Sequence, residues 1–137
     1  MLSVDNSLII EHFMILKVVR NGLGSLIAGV DTLTRPPKKQ RDPQVQAQVD
    51  AAAATMALYQ FHACPFCIKV RRAMHKLNVP VPLKDAQKDP VIEQELIQKG
   101  GKRQVPCLRI QESDGSERWL YESNAIIQYL ETRFGDQ

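Results

Sequence analysis

In Tyr59-Gln60-Phe61-His62-Ala63-Cys64-Pro65-Phe66-Cys67 an apolar strand pattern gives way to a helical one across two cysteines. Residues Met56 to Phe61 read as a strand, and Pro65 to Leu77 as a helix with Phe66, Val70, Ala73, Met74 and Leu77 at helical spacing. Cys64 therefore stands at the helix start, where unpaired backbone N–H groups and the positive end of the helix dipole favour thiolate over thiol. Pro65 suits the first helical position, because the N–H it lacks has no partner there in any helix. Cys67 falls one turn further in, more buried and within disulfide reach of Cys64. The expected chemistry is attack by the Cys64 thiolate on a disulfide, giving a mixed disulfide that Cys67 or an external thiol resolves. Lys69, Arg71 and Arg72 add positive potential, although the sequence does not say which of them faces the sulfur. The competing reading is zinc. It needs four ligands, usually as a second pair, and only His62, His75 and Cys107 are available, so no metal is expected.

Downstream, the pattern continues as alternating elements. A second strand begins over Pro80 to Leu83, Asp89-Pro90 caps a second helix, and Gly100-Gly101 ends it. Val105 to Gln111 and Arg118 to Tyr121 form a hairpin around Ser113-Asp114-Gly115-Ser116, where Asp-Gly is a strong turn signal. Ser123 or Asn124 opens a last helix that stops at Gly135. The order is β-α-β-α-β-β-α, an α/β domain over residues 55–137.

Upstream, residues 1–34 are of a different kind. Leu8, Ile9, Ile10, Phe13, Met14, Ile15, Leu16, Val18 and Val19 precede Arg20, and Leu23, Leu26, Ile27, Ala28 and Val30 follow it. A membrane span takes roughly 20 mostly apolar residues. Lys17 and Arg20 would fall near mid-span, at about 2.5–3.5 kcal/mol each on an insertion scale. Glu11, His12, Lys17 and Arg20 do not gather on one narrow face, so a clean surface helix is not expected, and Gly22, Gly24 and Gly29 weaken a free-standing one. The basic cluster Arg35, Lys38, Lys39 and Arg41 follows directly. Such a cluster beside an apolar segment attracts anionic lipid and keeps the next domain cytoplasmic. The expectation is an apolar helical segment attached at residues 8–33 to a membrane surface, with a true span and soluble packing or disorder as the alternatives. Met14 begins Met-Ile-Leu-Lys-Val-Val-Arg and reads as a second candidate start beside Met1. Residues 35–54 read as a basic, Pro-containing linker followed by a short Ala/Gln-rich helix that Asp42-Pro43 caps.

The composition sets limits on function. Hydrophobic residues are 44% and charged residues 24% of the 137, ordinary for one globular core with an appendage. Aromatics at 6% and a net charge of +3 give no nucleic-acid signature, and no nucleic-acid partner is expected. Three cysteines, an odd and small number, argue against a disulfide-stapled secreted scaffold and for redox chemistry in a reducing compartment.

Three segments together resemble a known family. Tyr59 to Cys67 resembles the strand-to-helix active site of glutaredoxins and of the related glutathione S-transferase N-terminal domain. Gly100-Gly101-Lys102-Arg103-Gln104-Val105-Pro106 resembles the loop that carries the cis-proline of that thioredoxin-like fold, and Tyr121-Glu122-Ser123-Asn124-Ala125-Ile126 the helix start that receives the γ-glutamyl end of glutathione. The resemblance covers residues 55–134 and implies a four-stranded mixed sheet. It also implies a glutathione site: Val105 before a cis Pro106 would hold the cysteinyl unit in a strand-like contact. Glu122 and Ser123 would meet the γ-glutamyl group, and Lys102, Arg103 or Gln104, with Arg103 the choice carried forward, the glycine carboxylate. A serine at that place is also a common N-cap. Phe66 stands where tyrosine is common, and Cys107, directly after Pro106, is read as a buried apolar residue or a third redox sulfur. A transferase of this family needs a following all-helical domain for its electrophile; the sequence stops at Gln137, so ordinary transferase activity is not expected.

The function these implications predict is a glutathione-dependent thiol–disulfide oxidoreductase, acting through Cys64 and Cys67 with glutathione as co-substrate. Its partners would be disulfide-containing or glutathionylated proteins, in a bacterial cytoplasm and at the inner-membrane surface. The alternative is a non-catalytic glutathione-binding or [2Fe–2S]-carrying module.

Overall fold

The computed structural model describes the backbone of residues 6–136 and the side chains of residues 14–136. The apolar run at 8–13 and the question of Met1 against Met14 as the start lie wholly or partly outside the described residues.

A four-stranded sheet in the order β2-β1-β3-β4 sits at the centre. The strands are β1 (Ala57–Gln60), β2 (Leu83–Asp85), β3 (Cys107–Gln111) and β4 (Glu117–Tyr121). β2 runs parallel to β1, whereas β3 is antiparallel to both β1 and β4, so the sheet is mixed. The helices are α1 (Asn6–Thr34), α2 (Pro43–Ala53), α3 (Pro65–Leu77), α4 (Pro90–Glu95) and α5 (Ser123–Phe134). α4 runs on into a π-helical turn, Leu96–Gly100, and Gly101 closes it at a φ of 96° that favours glycine.

β1 is buried along its whole length because both of its faces are covered. Leu58, with Leu108 and Ile110 of β3, faces a core built from Val70 and Met74 of α3, Ile126, Leu130 and Phe134 of α5, and Val49 and Ala53 of α2. Ala57 and Tyr59 point the other way, with Cys107, onto Leu96 and the ring of Trp119. Period-two alternation thus feeds two cores from one strand. Each fully buried Leu or Ile in them contributes about 1.5–3 kcal/mol.

β2 starts later than the sequence suggested. Pro80 and Pro82 have no N–H to give to a ladder, and the Val81 N–H turns back to the Val79 carbonyl at 3.0 Å. Pairing with β1 begins at Leu83, opposite Leu58.

The N-terminal segment forms a helix of 29 residues, in keeping with the apolar helical segment expected there. Among the described residues, Gly24, Ala28 and Asp31 are its buried positions, spaced to make one narrow stripe that packs on α3 and the loop before it. Gly24 is where the approach is closest: a Cβ there would lie 2.6 Å from the Ala63 carbonyl oxygen. Asp31 binds Arg35 at 3.0 Å and Arg72 of α3 at 3.1 Å. Among the described residues, no helix is long and apolar enough to cross a membrane.

Candidate active site

β1 ends and the chain turns through Phe61, His62 and Ala63 before α3 begins. Cys64 takes the N-cap position in an extended conformation, and Pro65 is the first helical residue. The Cys64 carbonyl accepts the Ile68 N–H at 2.9 Å as the first bond of the helix, and no side chain caps the N–H groups of the first turn, so the sulfur sits beside them at the N-terminus. Cys64 is half-buried, and Cys67, one turn on, is fully buried; both are free thiols.

The two sulfurs are unequal. The hydrogen bond from Cys67, with the backbone N–H groups of Cys67 and Phe66 and then the Arg71 charge, outweighs burial and holds Cys64 down at about 6. The same bond, together with burial, pushes the Cys67 thiol far up, so that it stays protonated. One thiol is a thiolate at neutral pH because the other is kept as its donor.

The three cationic side chains on α3 go to three different places. Lys69 reaches the side chain of Asn124 at the start of α5, and Arg72 goes to Asp31 of α1 and the Thr34 carbonyl. Arg71 alone turns inward, 8% exposed, donating to the Gln60 side chain and to the carbonyls of Phe61 at 3.4 Å and His62 at 2.7 Å. It ties the end of β1 and the loop before Cys64 to the active-site helix. Sequence spacing named Arg71 only as one of three. The buried Gln60 at the strand end is the signal that would have singled it out, since a buried amide needs a partner.

The register brings the other two segments to the same edge. Cys107 pairs with both Tyr59 and Tyr121, so the residues just before β3 and just after β4 flank the end of β1. The Val105–Pro106 bond is cis. Glu122 lies at a φ of 77°, a left-handed conformation that costs a non-glycine residue of order 1–3 kcal/mol and often marks a functional site. Ser123 is buried as the first residue of α5, while Glu122 holds the N-cap position without a side-chain capping bond. The simple N-cap role for Ser123 therefore does not hold, and the first turn of α5 has no side-chain cap. Gln104 donates to Glu122 at 3.4 Å. Arg103 lies 5.0 Å from the Phe61 ring centre and 3.5 Å from Glu93, at the rim of the same edge. Lys102 sits over the Tyr121 ring at 4.5 Å. Cys107 is fully buried, and burial pushes its thiol up to about 11, which fits the apolar reading better than a third reactive sulfur. Among the described residues no group of three or more His, Cys, Asp or Glu is placed to hold a metal.

A mixed four-stranded sheet, a Cys-x-x-Cys helix start and a cis-proline at one sheet edge define a thioredoxin-like thiol domain of the glutaredoxin and glutathione-transferase kind. Residues 58–137 match the glutathione S-transferase N-terminal domain family, and the chain belongs to that family. It is 33% identical over 99 residues to prostaglandin E synthase 2 of Mus musculus, an overlap of 68% of this chain but only a quarter of that protein's length. Solved structures with similar folds include maleylacetoacetate isomerase of Anaeromyxobacter dehalogenans with bound dicarboxyethyl glutathione and citrate (23% identity, TM-score 0.46, covering 60% of this chain and 38% of that one). Wheat glutaredoxin is another (20% identity, TM-score 0.43, 70% of this chain and 89% of that one). Oxidised glutaredoxin 2 of Chlamydomonas reinhardtii is a third (19% identity, TM-score 0.43, 69% and 92%).

Proposed function

We propose that the protein is a glutathione-dependent thiol–disulfide oxidoreductase that reduces protein disulfides or protein–glutathione mixed disulfides through Cys64. The observation that carries this is the inequality of the two thiols: Cys64 is held at about 6 while Cys67 stays protonated beside it. In the first step the Cys64 thiolate attacks the glutathione sulfur of a mixed disulfide, forms Cys64–S–S–glutathione and expels the protein thiolate. In the second, a glutathione thiolate attacks that adduct, leaving as oxidised glutathione and returning Cys64 as thiolate.

Magnitudes show which step benefits. Lowering a thiol from 9 to about 6 raises its thiolate fraction at pH 7 from about 1% to about 90%. The same shift weakens the thiolate as a nucleophile by roughly twentyfold, at a Brønsted slope near 0.45. The net gain in attack is only about fourfold. As a leaving group the stabilised Cys64 gains without that offset, so the second step is the one the site accelerates. By the resemblance, Val105 and Pro106 would hold the cysteinyl unit of glutathione at that moment, Glu122 and Ser123 its γ-glutamyl end, and Arg103 its glycine carboxylate. The mouse relative is four times longer than the matched segment, and the activity in its name stays with that protein.

The test is mass spectrometry of the full chain after incubation with oxidised glutathione, wild type beside Cys64→Ser and Cys67→Ser. A glutathione adduct is expected to accumulate on Cys67→Ser and to be absent from Cys64→Ser. No adduct on any variant, with the thiols reactive after unfolding, would sink the mechanism. Visible absorbance of the anaerobically purified chain would point instead to a [2Fe–2S] carrier.

A further inference from the structure

Gly24, Ala28 and Asp31 use one side of α1, and the opposite side is left bare. Ile15, Val19, Leu23, Leu26, Val30 and Leu33 recur at intervals of three and four, a continuous stripe roughly opposite the docked one at 100° per residue. All six are exposed, from 50% at Val30 to 88% at Leu33. Leu16 and Ile27 widen the stripe and are exposed as well. Lys17 and Arg20 continue the docked side toward the N-terminus, beyond the end of α3, and are exposed. From Met14 to Arg41, six Lys and Arg stand against a single acidic residue, Asp31.

We infer that α1 lies flat in the interface of an anionic lipid bilayer, its apolar stripe in the acyl boundary and the thiol domain riding on its other side. Three observations favour lipid over a second copy of the chain as the occupant. Among the described residues the stripe is aliphatic throughout, with no aromatic anchor of the kind that centres a protein interface. The flanking charge is of one sign, which attracts anionic headgroups but repels a second copy of itself. Among the described residues no helix is long and apolar enough to cross, which fits an amphipathic helix lying in the plane.

The docked stripe gives this a consequence for the site. Gly24 is seated on Ala63, the residue before Cys64, and Asp31 clamps Arg72 of the active-site helix. A helix is about 10 Å across, so the reactive sulfur would be held about one helix diameter above the interface, within reach of thiols and disulfides of membrane-bound proteins. Lipid binding itself does not require the thiol chemistry, and Cys64→Ser should bind vesicles as the wild type does.

The experiment is co-sedimentation of the full chain with phosphatidylcholine vesicles, with and without phosphatidylglycerol. A variant carrying Val19→Glu, Leu23→Glu and Leu26→Glu is run beside it, with sedimentation equilibrium in the absence of lipid. These three side chains are exposed, so the variant should fold and keep its Cys64 alkylation rate. Expected is binding to the anionic vesicles, roughly a hundredfold stronger than to phosphatidylcholine alone, and its loss in the triple variant. Equal binding by the triple variant would assign the attraction to the basic residues alone and overturn the inference. A dimer without lipid that the triple variant abolishes, with no vesicle binding, would give the face to a second copy. A wild-type chain that stays monomeric and in the supernatant would also overturn it.

Discussion

Removing the Cys67 thiol takes away the largest influence that keeps Cys64 anionic. The rate of Cys64 alkylation by iodoacetamide should rise with pH and reach half its plateau near 6 in the wild type, since only thiolate reacts. In Cys67→Ala that midpoint moves upward, because the donor to the Cys64 sulfur is gone, yet glutathione turnover continues in Cys67→Ala and Cys67→Ser alike. Cys67 is fully buried and its thiol is pushed far up, so an external glutathione is the better resolving thiol. Abolition of turnover in Cys67→Ser would show that the intramolecular disulfide is obligatory. Arg71 makes a different prediction, because its charge acts on the site while its hydrogen bonds hold the loop. Arg71→Met leaves the Gln60 side chain and the His62 carbonyl without their guanidinium donor and should cost about 2–3 kcal/mol in urea unfolding. It should also raise the alkylation midpoint. Arg71→Lys restores the charge without the fork of donors, so it should recover the midpoint more fully than the stability. Recovery of both together, or of neither, would mean that charge and bonding are not separable there.

At the scale of elements, the contact between α1 and the active-site loop depends on one missing side chain. Gly24→Ala places a Cβ 2.6 Å from the Ala63 carbonyl, and the offending atom is backbone, which cannot swing aside. The helix must lift, at a cost of no more than about 1–2 kcal/mol, which is all that its docking contributes. Faster amide hydrogen exchange over α1 and residues 61–64, with α5 unchanged, is the expected signature; unchanged exchange over α1 would show that the docking is not tight. This contact is also where the sequence was silent. Gly24 read as a helix-weakener in isolation, because the value of a glycine in close packing depends on what it packs against. Lys69, Arg71 and Arg72 were ambiguous for the same reason: their destinations are Asn124, the β1 end and Asp31, all fixed only by tertiary structure. Elements whose cause is local were legible. Asp42, Asp89 and the Pro residues after them mark the starts of α2 and α4, and Asp114-Gly115 turns the hairpin. The β2 start was misplaced because hydrophobicity suggested a strand where two prolines prevent the ladder. The placement of the sulfur pair at a helix start was readable from local pattern, whereas the cis Pro106 came from the resemblance of the loop before it.

At the scale of the molecule, the question is which parts fold together. α1 contributes little to the two cores: Gly24 and Ala28 are small, and the Asp31–Arg72 pair is half-exposed on its arginine side. A chain lacking residues 1–34 should therefore unfold cooperatively with a loss of only about 1–2 kcal/mol, and its Cys64 alkylation midpoint should stay where it is. α2 is a different case, although residues 35–54 read as a linker and a short helix. Val49 and Ala53 are fully buried in the main core beside Leu58 and Leu130. Arg41 donates to the Phe134 carbonyl at 2.9 Å and to the Asn78 carbonyl at 3.2 Å, tying the linker to the ends of both α3 and α5. The Lys39 N–H adds a bond to the Lys76 carbonyl at 3.0 Å. Starting the chain at Thr55 would remove about 3 kcal/mol or more from these contacts alone and leave apolar surface of α3 and α5 open to water. Urea melts of fragments 35–137 and 55–137 beside the full chain measure this directly. The first should resemble the full chain, and the second should be sharply destabilised or aggregate. A fragment 55–137 as stable as 35–137 would mean that α2 only rests on a core complete without it.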